Sequence, residues 1–409
     1  MAKTSAVSVL VVLLLSAASC FAARTKLSTG SSEGTKSVAH WVDDDGICRS
    51  MVESQGYACE EHQVTTEDGY ILGIQRMQVA KSGKKAYKPP VLIQHGLFSD
   101  GATWMLNSPA ESLPFLLVDD GYDVWIANTR GTIHSQGHTS LSPNDGAYWE
   151  WSWEELADYD LPAVFQYVYD HTGQQKHHYI GHSLGTLTAL AAFAEGDLLN
   201  MSRSAALLCP IAHLNHITSP SKIAADMYLA EDIYKLGYRE FLKGGLAFTK
   251  FIDAVCSKPG INCTDLVAAM TGPSCCVNAS RVDPFLDSQP QPTSVKNIVH
   301  LSQMIRTGNI AKYDYGNEAD NMDHYHQPTP PAYIMSKIQP SFPLFLAYGG
   351  KDMLADVDDM AILIDNLKDH DDSKLVLHFV DSYAHVDFVF GVNAHSVVYG
   401  PIMDFFKLH

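Results

Sequence analysis

The stretch His177-His178-Tyr179-Ile180-Gly181-His182-Ser183-Leu184-Gly185, continued by Thr186-Leu187-Thr188-Ala189-Leu190-Ala191-Ala192-Phe193, constrains the fold more than any other. A short run suited to a strand enters a Gly-x-Ser-x-Gly pentapeptide, and Ala and Leu at helical spacing follow. The chain must reverse from strand to helix within a few residues. The turn is too sharp for side chains at 181 and 185, so both are glycine. The pentapeptide alone recurs by chance in many proteins. With a strand before it and a helix after it, it reads as a nucleophile elbow, which lifts a serine hydroxyl to the top of a sheet.

The surrounding chain supplies such a sheet. Val91-Leu92-Ile93-Gln94, opened by Pro89-Pro90, is a continuous apolar run of the kind buried on both faces of a parallel sheet. Tyr122 to Asn128, the elbow strand and Ala205 to Cys209 follow, with helical periodicity over 153–170 and after the elbow. This alternation predicts a doubly wound, mostly parallel α/β sheet. Before it, Val64-Thr65-Thr66 and Tyr70 to Ile74 flank a turn and read as a hairpin. From about 215 to 338 the pattern breaks into helical fragments, cysteines and prolines with no clear sheet strand. Strands resume at Phe342 to Tyr348 and Leu375 to Val380, separated by a helix near 357–368, and Val397 to Leu408 reads as a closing helix. The expected organisation is core at 41–214 and 339–409, interrupted by a largely helical cap and lid insertion at 215–338.

The amino terminus bears on location. Met1-Ala2-Lys3, an apolar run from Val7 to Leu15 and small residues to Ala22 and Ala23 read as a secretory signal peptide over 1–22. The apolar run is too short for a membrane anchor. A polar tail or propeptide, 23–40, follows. Sequons at Asn200, Asn262 and Asn278 agree with secretory passage and are expected glycosylation sites. In an oxidising compartment cysteines should pair. Cys48 and Cys59 could close a small loop, and a second bridge is expected among Cys256, Cys263, Cys275 and Cys276. Cys209, inside an apolar strand, is expected to be a buried free thiol. The formal net charge of −18 argues against nucleic acid and anionic membrane surfaces as partners.

A serine nucleophile needs a base, and the base needs an acid that fixes its tautomer. Strand Phe342 to Tyr348 runs into Gly349-Gly350-Lys351-Asp352, leaving Asp352 at the strand's carboxyl end, on the same edge as Ser183. Asp356, Asp358 and Asp359 fall at the start of the next helix, where carboxylates pair with the helix dipole. Among 19 histidines, His385 alone lies on the loop after the last strand. His378 lies within that strand and is expected to be packed, and His395 opens the final helix region. The expected catalytic residues are therefore Ser183, Asp352 and His385. The expected oxyanion donors are the backbone N–H groups of Leu184 and Leu97, the latter on the loop after the early strand. His95 and His182 border this site as orienting or packing residues. Asp320, Asp323, His324 and His326 cluster without a metal-ligand spacing, so no metal is expected.

These residues, with their neighbours, resemble the acid lipase family of gastric, lysosomal and related triacylglycerol and cholesteryl ester lipases. The likeness runs from about Gly46 to the end. It is carried by Val64 to Leu72, Gln94-His95-Gly96-Leu97, Gly121 to Trp125 and Asn128-Thr129-Arg130-Gly131. Asp158 to Ala163, His178 to Ser183, Gly349 to Asp356 and His385-Val386-Asp387-Phe388 continue it. Leu184 stands where familiar animal members carry Gln, which a backbone donor tolerates, and the Cys48 and Cys59 pair is also unlike those members. The resemblance implies an α/β-hydrolase fold, the triad Ser183–Asp352–His385, an oxyanion hole at Leu97 and Leu184, and a mobile lid within 215–338. It also implies a secreted or lysosome-like lipase that needs no cofactor and acts on neutral lipid esters at a lipid–water interface. The nearest alternative is a carboxylesterase or steryl ester hydrolase on the same machinery, and a more distant one a non-catalytic lipid-binding member of the fold.

Overall fold

The computed structural model describes residues 46–173, 175–196, 198–242, 263–281 and 289–409. The expected signal peptide and tail, Cys256, Asn262 and the side chain of Cys263 lie outside the described residues. The first strands are β1 (Glu60–Thr65), β2 (Tyr70–Met77), β3 (Pro90–Gln94), β4 (Asp123–Ala127), the short β5 (Gly137–His138), β6 (His177–His182) and β7 (Ser202–Leu208). A two-residue pair follows, β8 (Glu240–Phe241) and β9 (Thr293–Ser294), and then β10 (Leu344–Gly349) and β11 (Leu375–Val380). The large sheet runs β1-β2-β4-β3-β6-β7-β10-β11, with β5 beside β2. From β4 to β11 every neighbouring pair is parallel; β1, β2 and β5 pair antiparallel.

Burial follows this topology. Every residue of β3, β4 and β6 is buried, as parallel strands covered on both faces require. The hairpin strand β1, at the edge, is mostly exposed. The helix after the elbow, α1 (Leu184–Glu195), is buried from Leu184 to Ala194. Its small Ala, Gly and Thr residues let it pack closely on the sheet, and it stops at Gly196, whose φ of 90° is left-handed.

The helical period expected over 153–170 is present in three parts: a turn at Trp153–Glu155, a wide π turn at Leu156–Asp160 and a helix at Leu161–His171. Ser152 caps the first part in a reciprocal capping box with Glu155. The loop before it buries Trp149 and Trp151, and this first part itself buries Trp153. Nearby, the buried Arg130 guanidinium donates to Asp68 (2.6 and 2.9 Å) and to Asp160 (2.7 Å), with its carbon 3.8 Å from the Tyr70 ring centre.

The chain leaves the large sheet after Leu208 and rejoins it at Leu344. Between them lie helices at Ser221–Asp226, Leu229–Lys235, Cys263–Thr271, Val295–Thr307 and Glu318–Tyr325. Ala230, Val295, Val299 and Tyr313 form a small core of their own there. The expectation of no strand in this segment needs one correction: β8 and β9 pair antiparallel across Glu240–Ser294 and Phe241–Thr293. Two residues per strand carry no alternation long enough to read from sequence.

The disulfide Cys48–Cys59 closes its loop as expected, and among the described residues a further bridge joins the adjacent pair Cys275–Cys276. Cys209 is a buried free thiol. His378 is packed within β11, its Nε2–H donating to the Val397 carbonyl at 2.8 Å. Asp356 caps the helix Val357–Asn366 by accepting from the Asp358 N–H (2.9 Å).

Candidate active site

Ser183 stands between the end of β6 and the first turn of α1 with φ 53° and ψ −116°, a conformation costly for any residue with a Cβ. Its N–H donates to the Leu208 carbonyl of the neighbouring strand (3.0 Å), which pins the turn to the sheet. A Cβ at Gly181 would lie 2.7 Å from the Gly185 oxygen, and one at Gly185 would lie 2.9 Å from the Gln94 and His95 oxygens. Both glycines are thus required by close backbone approach. Phe98 and Cys209, just past the ends of β3 and β7, also have positive φ (60° and 52°). Three strained residues therefore cluster at the carboxyl edge of adjacent parallel strands, where open α/β sheets hold their ligands.

Asp352 and His385 meet there. His385 Nδ1 lies 2.8 Å from Asp352 Oδ2, and both side chains are buried. Asp352 Oδ1 accepts from the N–H groups of Leu354 (2.8 Å) and Ala355 (2.9 Å). Burial alone would push the Asp352 carboxyl up, but the His385 charge and these hydrogen bonds outweigh it and hold it below its ordinary value. The carboxylate stays ionised and takes the His385 Nδ1–H, which leaves the imidazole lone pair on Nε2.

The His385 main chain is held as firmly as its ring. Its carbonyl accepts from His182 Nε2–H (3.1 Å) and the Cys209 thiol (3.4 Å), and its N–H donates to the Thr271 carbonyl (3.3 Å). Burial pushes His182 down to about 3 and Cys209 well up, so both are neutral donors at ordinary pH. The His182 and His385 ring centres are 4.9 Å apart, so the residue before Ser183 directly abuts the His385 ring.

On the other side of Ser183, Gly96, Leu97 and Leu184 line one small cavity with Trp151, Leu156 and Thr293. A Cβ at Gly96 would lie 3.0 Å from the Ser183 Cβ. His95 is fixed in one tautomer: Nδ1–H donates to the Gly96 carbonyl (2.8 Å) and Nε2 accepts from the Thr129 N–H (3.1 Å). Burial pushes it down to about 4, so it orients this loop as a neutral ring.

The structure thus brings Asp352 and His385 into contact and Leu97 and Leu184 into one cavity beside Ser183. Asn200 and Asn278 are exposed. Sequence reasoning missed Thr271 and the contact of Cys209 with His385, because the partners lie 114 and 176 residues apart in the chain, the first being 385 − 271. It also missed Gln289 and Gln291, which bind the loop carrying Leu97: Gln289 Nε2 donates to Asp100 (2.9 Å) and the Gln291 N–H to the Phe98 carbonyl (2.8 Å).

A mostly parallel sheet with a strained serine between strand and helix defines the class, an α/β-hydrolase. The sequence matches the family described as the alpha/beta hydrolase fold over residues 89–391, and the partial alpha/beta-hydrolase lipase region over residues 48–108. It is 50% identical to triacylglycerol lipase 2 of Arabidopsis thaliana, with 88% of each chain covered. It is 34% identical to human gastric triacylglycerol lipase, with 92% of each covered. Among solved structures, a soluble variant of monoglyceride lipase from Saccharomyces cerevisiae aligns with a TM-score of 0.55 at 15% identity, over 86% of this chain and 96% of that one. The chain belongs to the acid lipase family, carboxylic ester hydrolases built on the α/β-hydrolase fold.

Proposed function

We propose that the protein is a serine lipase of the secretory pathway that hydrolyses neutral lipid esters, triacylglycerols foremost, through an acyl-enzyme. The observation that carries this is the Asp352–His385 hydrogen bond at the sheet edge, beside a serine held at positive φ. Ser183 Oγ attacks the ester carbonyl while His385 Nε2 takes its proton. Asp352 holds the tautomer and stabilises the imidazolium. The N–H groups of Leu97 and Leu184 receive the oxyanion, the latter from the first turn of α1, where helix N–H groups have no intrahelical acceptor. His385 protonates the departing alcohol, and water then releases the fatty acid.

The names of the relatives favour triacylglycerol. The segment between β7 and β10 favours a lipid surface, since it exposes Ile223 in the helix Ser221–Asp226, Met227 and Tyr228 in the link to the helix Leu229–Lys235, and Leu236 and Tyr238 just after that helix. We read residues 215–338 as a cap over the site, between core parts at 41–214 and 339–409. The signal-like amino terminus, the sequons at Asn200, Asn262 and Asn278 and the disulfides support an extracellular or lysosome-like destination. No helix among the described residues is long and apolar enough to cross a membrane.

The test is a panel of long-chain and short-chain glycerides and a sterol ester, run with wild type and Ser183→Ala. The substitution should lower kcat on every active substrate by on the order of 10⁴-fold or more. Activity within tenfold of wild type would refute the assignment, and a preference for the sterol ester would refute the substrate class.

A further inference from the structure

Asp387 is fully buried, and among the described residues no cation pairs with it. Its charge is met by hydrogen bonds alone. Oδ1 accepts from the Ser274 hydroxyl and the Cys276 N–H (3.1 Å), and Oδ2 from the N–H groups of Ala384 (2.7 Å) and Cys275 (3.3 Å). Three donors belong to residues 274–276, inside the segment between β7 and β10, and the fourth is the residue before His385. A carboxylate buried this way is costly unless its acceptor sites are filled, so the arrangement locks the two chain segments together.

The locked segment reaches the catalytic loops directly. The Thr271 carbonyl accepts from the N–H of His385 and from the N–H of Met353, next to Asp352, both at 3.3 Å. Gly272, at φ 104°, lies so close to the Lys351 carbonyl that no Cβ would fit. The Cys276 carbonyl accepts from the Val392 N–H (2.9 Å). One carbonyl thus ties together the loops that carry the acid and the base, and Asp387 anchors the strand of chain that supplies it.

We propose that Asp387 is a positioning residue for ester hydrolysis. It clamps the turn bearing His385 onto residues 271–276 and keeps the imidazole in register with Asp352 and Ser183. This rests on the Ser183–Asp352–His385 assignment above. A small shift of a reacting group is enough to matter, since a misplacement of about 1 Å can cost on the order of 100-fold in rate.

The experiment compares Asp387→Asn, Ser274→Ala and, as a purely structural control, Gly196→Ala, which strains the left-handed residue that ends α1 at the end opposite Ser183. Each protein is titrated to completion with a fluorophosphonate to count competent sites, and kcat and KM are measured on p-nitrophenyl butyrate per titrated site. Asn keeps the shape of Asp387 but turns an amide donor toward N–H groups. Asp387→Asn should lower kcat per site by about 10- to 100-fold with KM within about twofold, and Ser274→Ala by about two- to fivefold. Gly196→Ala should lower the melting temperature and leave kcat per site unchanged. Wild-type kcat per site in Asp387→Asn overturns the proposal whatever its melting temperature. If that variant does not fold, wild-type kcat per site in Ser274→Ala overturns it instead. Fluorophosphonate labelling of Ser183→Ala at the wild-type rate would instead refute the underlying nucleophile assignment.

Discussion

Gly185→Ala tests whether close packing of the elbow on the proposed oxyanion loop sets the rate. The added Cβ would sit 2.9 Å from both the Gln94 and His95 oxygens and 3.0 Å from the Gln94 Cγ. Ordinary contact begins near 3.4 Å, so about 0.5 Å must open. Gln94 is held in register by Ala127 of β4 and Gly181 of β6, so the oxygens at the end of β3 cannot yield easily. The amino end of α1 must move instead, carrying Ser183 and the Leu184 N–H away from Leu97. That movement should cost about 10- to 100-fold in kcat. Stability is a poor readout here. Overpacking costs about 1–3 kcal/mol, but Ala favours a helix over Gly by about 1 kcal/mol, which leaves a net loss of only about 0–2 kcal/mol. Gly196→Ala at the other end of the same helix is the control. Its Cβ would meet nothing within 4 Å, and its φ of 90° costs roughly 1–2 kcal/mol in a non-glycine residue, so it should lower the melting temperature and leave kcat alone. Steady-state kinetics on a soluble short-chain ester, with fluorophosphonate site counts, separates the two. A Gly185→Ala enzyme within twofold of wild-type kcat would refute the reasoning.

Two predictions concern stability. Burial pushes His95 down to about 4 and His182 to about 3, so between those values and about 6.5 the unfolded chain binds protons that the folded chain refuses, and stability falls as pH falls through that window. At pH 5 this amounts to about 2 kcal/mol for each histidine. Asp100, pushed up to about 6 by burial, works the opposite way and returns only about 1 kcal/mol at pH 5. Calorimetry should give a lower melting temperature at pH 5 than at pH 7, and an equal or higher one would contradict the burial of neutral histidines. Replacing Arg130 with Leu leaves the buried Asp160 carboxylate without its cation and should cost about 3–5 kcal/mol in a denaturant titration, where a loss under 1 kcal/mol would contradict it.

What was legible in the sequence was local. Gly181 and Gly185 announce a turn through their own lack of side chains, and the apolar runs of β3 and β6 announce burial on both faces. Asp352 and His385 were identifiable because each follows a recognisable strand, and topology then delivers both to one edge. Their meeting at 2.8 Å follows from strand order rather than from either residue's neighbours. The contacts that hold them were illegible for the complementary reason. Ser274 and Gln289 sit in stretches without periodicity and Thr271 is the last residue of a helix, and their partners are fixed only by how the segment after β7 folds back. Asp387 was visible as part of a motif, yet nothing in His385-Val386-Asp387-Phe388 says that its carboxylate receives N–H groups from residues 275 and 276.

Those contacts change how the segment between β7 and β10 should be regarded. A segment that only covered the site could be exchanged freely to alter what reaches Ser183. This one holds the Phe98 carbonyl through Gln291 and Asp100 through Gln289, on the loop that carries Leu97. At its other attachment, Thr271 holds the N–H groups of Met353 and His385. It therefore grips the loop carrying Leu97 and the loops carrying Asp352 and His385 separately, at 289–291 and 271–276. The exposed apolar residues from Ile223 to Tyr238 lie outside both attachments. On the proposed assignment, substrate preference should vary there without disturbing the triad, whereas exchange of the whole segment should preserve Thr271, Ser274, Gln289 and Gln291 to keep the proposed alignment of Ser183 with His385.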